Sequence, residues 1–103
     1  MRQDEIIRLL SERQAEMQRF GVRSLALFGS VARDMAREDS DVDILVEFDG
    51  PPGFGHFMYL KFFLEDLLGR RVDLVTRKAL KPRLRTRVEE EAVHVPGFQS
   101  VPG

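Results

Sequence analysis

Asp41 and Asp43 stand two residues apart where the chain alternates, with Val42, Ile44, Val46 and Phe48 on one face and Asp41, Asp43, Leu45 and Glu47 on the other. That period predicts a strand over residues 41–48, with both carboxylates on one face about 6 to 7 Å apart along the backbone. Two carboxylates so placed can converge on one divalent cation or on a pair; hard ions such as Mg²⁺ are held by one or two such groups together with substrate phosphates. The same pattern also describes solvated acids on the outer face of a strand. Three further features stand beside it. Gly29-Ser30 falls where one strand should end and a helix begin, and such a turn is either an ordinary helix cap or a place where backbone N–H groups receive a phosphate. Asp73 interrupts the apolar run Val72-Asp73-Leu74-Val75, where a charge is costly unless it meets water, a base or a metal. Arg33 lies one turn beyond Ser30, where it can face the same pocket or pair with Asp34, Glu38 or Asp39.

The elements that must position these residues are legible in outline. Ile6, Ile7, Leu10, Met17 and Phe20 recur at helical intervals, predicting an amphipathic helix over residues 3–19 that Gly21 ends. Residues 22–28 read as a buried strand, and Ser30 is the expected N-cap of a brief helix reaching about Met35. After the break Asp49-Gly50-Pro51-Pro52-Gly53, residues 56–68 predict a helix that is apolar on nearly every side, either sandwiched in the core or turned toward another protein. Residues 71–76 give a third strand, and Leu80, Leu84, Val88 and Ala92 mark a last helix with Pro82 in its first turn. The order α, β, α, β, α, β, α predicts an α/β domain with a small three-stranded sheet and about four helices. Residues 1–94 form the expected domain, and residues 95–103 have the composition of a flexible tail.

Composition narrows the chemistry. The chain has 103 residues, so one core is expected and a large enclosed substrate chamber is not. Any active site should be open or completed by a partner. With no cysteine and two histidines, thiol catalysis, disulfides and thiolate metal sites are excluded and a His-rich zinc site is disfavoured. His56 and His94 are expected to be structural or incidental. No apolar run approaches the roughly 18 residues of a membrane span, which makes a cytoplasmic protein the default. The net charge of −1 points to no direct nucleic-acid binding, but it hides a segregation. Residues 34–49 carry seven acids against Arg37 alone, and residues 70–87 carry eight bases against Asp73 alone. The bases, among them Arg77, Lys78, Lys81, Arg83, Arg85 and Arg87, form either a solvated face or a surface that steers an acidic partner or a triphosphate.

The stretch FGSVARDMAREDSDVDILVEF resembles the minimal nucleotidyltransferase family, small relatives of the DNA polymerase β superfamily. Its pattern of Gly-Ser, ten residues and Asp-x-Asp is met by Gly29-Ser30, residues 31–40 and Asp41-Val42-Asp43, with Asp73 in the place of the later acid. Val31 stands where Arg is frequent in the family, and Asp34 where Gly is. The resemblance implies a nucleotidyltransferase fold with a mixed sheet. It also implies transfer of AMP from ATP, with Asp41, Asp43 and Asp73 as catalytic residues holding Mg²⁺, expected as two ions, and with Gly29, Ser30 and Arg33 binding the nucleotide. Chains of this length and pattern resemble the antitoxin half of a toxin–antitoxin pair. The implied partner is a helical HEPN-type ribonuclease, modified on a tyrosine, in a hetero-oligomer. Residues 56–68 are the candidate docking helix, and Tyr59 is a conceivable acceptor of self-modification. The alternatives are a non-catalytic module that neutralises its partner by occlusion, and transfer to a small molecule or an RNA end.

Overall fold

A computed structural model of the chain describes residues 2–33, 40–50 and 53–98. The expected end of the brief helix near Met35 and the acids Asp34, Glu38 and Asp39 lie outside the described residues, as do Pro51, Pro52 and residues 99–103. Helices α1 (Gln3–Glu12) and α2 (Gln14–Arg19) lead into strand β1 (Val22–Phe28), the four-residue helix α3 (Gly29–Ala32) and strand β2 (Val42–Phe48). Helix α4 (Phe54–Leu68), strand β3 (Val72–Thr76), a 3₁₀ turn (Arg77–Ala79), helix α5 (Pro82–Glu91) and the two-residue strand β4 (Val93–His94) complete the order. The sheet is mixed and runs β3-β2-β1-β4, with β1 antiparallel to both β2 and β4, and β2 parallel to β3.

The core lies on one side of this sheet. Val42, Ile44 and Val46 of β2, Leu25 and Leu27 of β1, and Val72 and Leu74 of β3 are buried against Ile6, Leu10, Met17, Leu60, Leu64 and Leu68 from α1, α2 and α4. Each large aliphatic side chain so buried contributes about 1.5 to 3 kcal/mol. The period-2 partners of these residues, Asp43, Leu45 and Glu47 on β2 and Asp73 and Val75 on β3, therefore belong to the opposite face. Handedness decides what lies over that face. α4 joins the parallel pair β2 and β3, whereas α5 leads from β3 back across the sheet to β4 at its other edge, in the reverse lateral direction. Two right-handed crossovers that travel in opposite directions must put their helices on opposite faces. α5 consequently sits over the Asp43 face, where Arg77 pairs with both Glu47 of β2 and Glu89 of α5.

Four expectations change. The sheet has four strands rather than three, because a two-residue strand is too short to produce a period. The helix over residues 3–19 is broken at Arg13, whose N–H bonds to Leu10 O in a tighter i to i−3 turn. The N-cap of α3 is Phe28, which leaves Ser30 inside the first turn. The last helix forms as expected, with Pro82 in its first turn, although Leu84 is exposed and no residue of α5 is buried. Val95 and Phe98, assigned to a loose tail, are buried, and the segment is held by Ser11 Oγ donating to Pro96 O and Gln18 Nε2 donating to Gly97 O. The helix α4 buries only Leu60, Leu64 and Leu68 and leaves Tyr59 and Phe62 exposed, so it covers the core with one face and is not sandwiched.

Candidate active site

The C-terminal end of β1 and the N-terminal ends of β2 and β3 meet at one edge of the Asp43 face. Asp43 is the register partner of Phe28 on β1 and of Asp73 on β3, so neighbouring strands bring the two carboxylates side by side. The protonated Asp43 carboxyl is placed to hydrogen-bond Asp73. Gly29 follows Phe28 at φ 68°, in the left-handed region, and a Cβ there would fall on the Asp43 carboxylate. Glycine is thus required twice over, for the turn and for the close approach.

Long-range bonds hold this edge in place. Gln3 Nε2 donates to Val31 O at 3.2 Å and Ala32 O at 2.9 Å, satisfying the final carbonyls of α3 from the start of α1. Arg70 donates to Ser40 O at 2.6 Å, Val42 N–H to Arg71 O at 2.9 Å, and Val72 N–H to Glu65 Oε2 of α4 at 3.0 Å. The aspartates are therefore seated at bonded strand ends. None of these supporting residues stands out in the sequence: Gln3 acts across 28 positions, and no local spacing marks it.

Of the expected site residues, Asp43, Asp73, Gly29 and Ser30 come together at this edge. Asp41 precedes β2, and its carboxylate pairs with Arg71 at 3.3 Å, although its charge still reaches Asp43. Among the described residues no three metal-ligating side chains converge on one point, and Asp41 is turned toward Arg71. Arg33 is exposed and bonds to Glu91 of α5 at 3.2 Å, while its charge also acts on Asp43. Burial pushes the Asp43 carboxyl up from its ordinary 3.8 to about 6, the Asp73 and Asp41 charges and the Asp73 bond push the same way, and Arg33 opposes them.

That crowding of negative charge around oxygen-only donors fits a hard divalent cation, which would relieve it. It also carries a stability prediction. A carboxyl whose acidity is weakened on folding contributes stability present below its unfolded value near 3.8 and lost as pH rises through about 6. Without divalent cations, Asp43→Asn is expected to melt at a higher temperature than the parent at pH 8, with the difference gone by pH 4; thermal scans at both values in a chelating buffer measure it.

Other features lie away from this edge. A groove of about 470 Å³ lined by Arg23, Phe48, Thr76 and Lys78 sits at the far ends of β2 and β3, roughly five residues or 16 Å along the strand from Asp43. Tyr59 makes an edge-on contact with Phe20, centroids 5.0 Å apart, on the α4 layer behind the sheet. The sheet separates it from Asp43, so Tyr59 cannot accept a group within its own chain. In the basic segment Arg77 and Arg87 are paired with acids, and Arg85 donates to Leu80 O, whereas Lys78, Lys81 and Arg83 are exposed without an ion pair among the described residues. No described helix is long and apolar enough to cross a membrane.

Comparison with known proteins agrees with this geometry. The protein adenylyltransferase MntA of Thermococcus cleftensis is 46% identical over 93 residues, covering 89% of this chain and 94% of that protein. A solved structure offered as a candidate minimal nucleotidyltransferase superposes with a TM-score of 0.79 at 41% identity, covering 90% of this chain and 95% of that one. The fold also recurs, at a TM-score of 0.63 and 20% identity over 88% of this chain and 72% of the other, in a complex of a tri-AMPylated Shewanella oneidensis HEPN toxin with an MNT antitoxin. The nucleotidyltransferase domain model matches residues 6–95, from the first buried residue of α1 to the buried Val95 that follows β4, and the chain belongs to that family of enzymes.

Proposed function

We propose that this chain transfers AMP from ATP to a tyrosine hydroxyl of a HEPN-type ribonuclease and so acts as an antitoxin, with residues 1–94 carrying the activity. The observation that carries the reading is the Asp43–Asp73 pair packed against the Gly29–Ser30 turn, since carboxylates and a close-approach turn are the two parts that phosphoryl chemistry on a triphosphate requires. The names of its relatives supply AMP as the group and a HEPN toxin as the partner.

The site opens on one side to solvent, so the acceptor is delivered by another molecule. Gly29 and Ser30 bind the β- and γ-phosphates through backbone N–H groups and the Ser30 hydroxyl, and Arg33 adds a charge-assisted bond. The acceptor oxygen forms a bond to the α-phosphorus in line with the bond to the β-phosphate, which breaks and releases pyrophosphate. Asp73, the exposed member of the pair, takes the hydroxyl proton. Asp41, Asp43 and Asp73 would hold Mg²⁺, which when bound neutralises triphosphate charge and favours ionisation of the hydroxyl. Asp41 joins that set by leaving Arg71, an exchange that an exposed ion pair permits at a cost of about 1 kcal/mol or less.

The experiment is label transfer from ATP carrying ³²P at the α position to the product of the neighbouring gene, with Mg²⁺. Label on tyrosine in that protein, absent with the Asp41→Asn, Asp43→Asn double variant, is expected. If the double variant neutralises the ribonuclease fully and no label forms, occlusion is the mechanism instead. Label on a small molecule or an RNA end would replace the acceptor and keep the chemistry.

A further inference from the structure

Arg33 is held by α5. Its Nη1 donates to Glu91 Oε2 at 3.2 Å, and the other Glu91 oxygen faces Arg87 Nε at 3.6 Å. Glu91 thereby links the residue that closes α3, three positions beyond Ser30, to the last turn of α5. None of the residues of that helix is buried, and among the described residues its other side-chain tie to the sheet is the Arg77 bridge between Glu47 and Glu89, with the pairing of β4 holding the chain just beyond its end. The same guanidinium whose charge reaches Asp43 is thus also one of the few anchors of the helix lying over the site.

We propose that Glu91 restrains Arg33, so that a nucleoside triphosphate and α5 compete for one guanidinium. The inference rests on the reading of Arg33 as a phosphate-binding residue. A triphosphate offers more negative charge than a single carboxylate and several oxygens in bidentate geometry, which lets it draw Arg33 from Glu91. Once it does, α5 loses one of its two side-chain ties and its docking weakens, while β4 still holds the chain beyond it. By linkage the coupling is reciprocal: whatever loosens the Glu91 contact tightens nucleotide binding by the same factor. Both partners are partly exposed, so the factor is about two- to fivefold, the size set by an exposed ion pair.

The test measures the dissociation constant of a non-transferable ATP analogue with Mg²⁺, and amide exchange across residues 82–91, in the parent, E91Q, R33A and the double variant. E91Q is expected to bind the analogue about two- to fivefold more tightly, and to show in the free state the fast α5 exchange that the parent shows only when the analogue is bound. In the R33A background E91Q should leave affinity unchanged, since the competition needs both residues. Structural damage alone would weaken binding, so a gain separates restraint from damage. Unchanged or weaker binding by E91Q, or a gain that persists without Arg33, overturns the restraint while leaving the transferase reading intact. A parent that binds no analogue at all overturns both.

Discussion

Asp43→Asn is expected to lower the rate of nucleotidyl transfer by about a thousandfold or more. Holding a divalent cation on the triphosphate is worth several kcal/mol in the transition state, and each 1.36 kcal/mol is tenfold in rate. Asparagine keeps the shape of Asp43 and its place beside Gly29, but it removes the charge for which the crowded edge is built. The same variant should be more stable than the parent at pH 8 without divalent cations, because burial and the neighbouring carboxylates disfavour the ionised form. Opposite signs for activity and stability at one position mark a group retained for chemistry rather than for folding. Initial rates of label incorporation at saturating ATP measure the effect, and a loss of less than tenfold would remove Asp43 from the catalytic set.

Gly29→Ala is expected to lose both activity and stability. A non-glycine residue in the left-handed region costs about 1 to 2 kcal/mol, which in a domain of this size lowers the melting temperature by roughly 5 to 15 °C. The new methyl would also coincide with the Asp43 carboxylate, so that the carboxylate must leave its position beside Asp73. A drop of about a hundredfold in transfer follows from that displacement, in keeping with the sensitivity of reacting groups to misplacement by an ångström. Gly69 provides the control. It ends α4 at φ 65° with nothing within 4 Å of a built Cβ, so Gly69→Ala carries the backbone cost without the collision. Assays well below both melting temperatures should find Gly69→Ala active and Gly29→Ala nearly inactive. Equal activity in the two variants would show that the approach of Gly29 to Asp43 does not matter.

The parts of the molecule legible in the sequence are those whose physics is local. Alternation placed β2 with Asp43 on it and Asp41 just before it, the short apolar run placed β1, and an acid within an apolar strand singled out Asp73, which the register then set beside Asp43. What escaped were features made by distant parts of the chain. β4 has two residues and exists only because β1 offers it an edge. Val95 and Phe98 look like tail by composition, yet the pocket that buries them is built by residues eighty positions earlier. The pairing of Arg33 with Glu91 crosses 58 positions, and nearer acids offered more obvious partners. Leu84 and Val88 repeat with the spacing of a buried stripe, but the face that α5 crosses mixes Leu45 and Ala26 with Asp43, Glu47 and Asp73, and Leu84 stays exposed while Val88 is half-buried.

The smallest element of the sheet has a reach out of proportion to its size. Because β4 lies beside β1, at the edge away from β3, the chain leaving β3 is obliged to travel over the carboxylates to get there. Those few backbone bonds, followed by Val95 N–H to Leu25 O at 3.0 Å, act as a mooring for everything between Thr76 and Val93. Cutting that mooring would remove no group that touches nucleotide and would leave the principal core of α1, α2 and α4 in place. It would nonetheless free the overlying span at one end. The position of the helix over the Asp43 face is thus tied to the rim of the molecule, by two residues with no chemistry of their own.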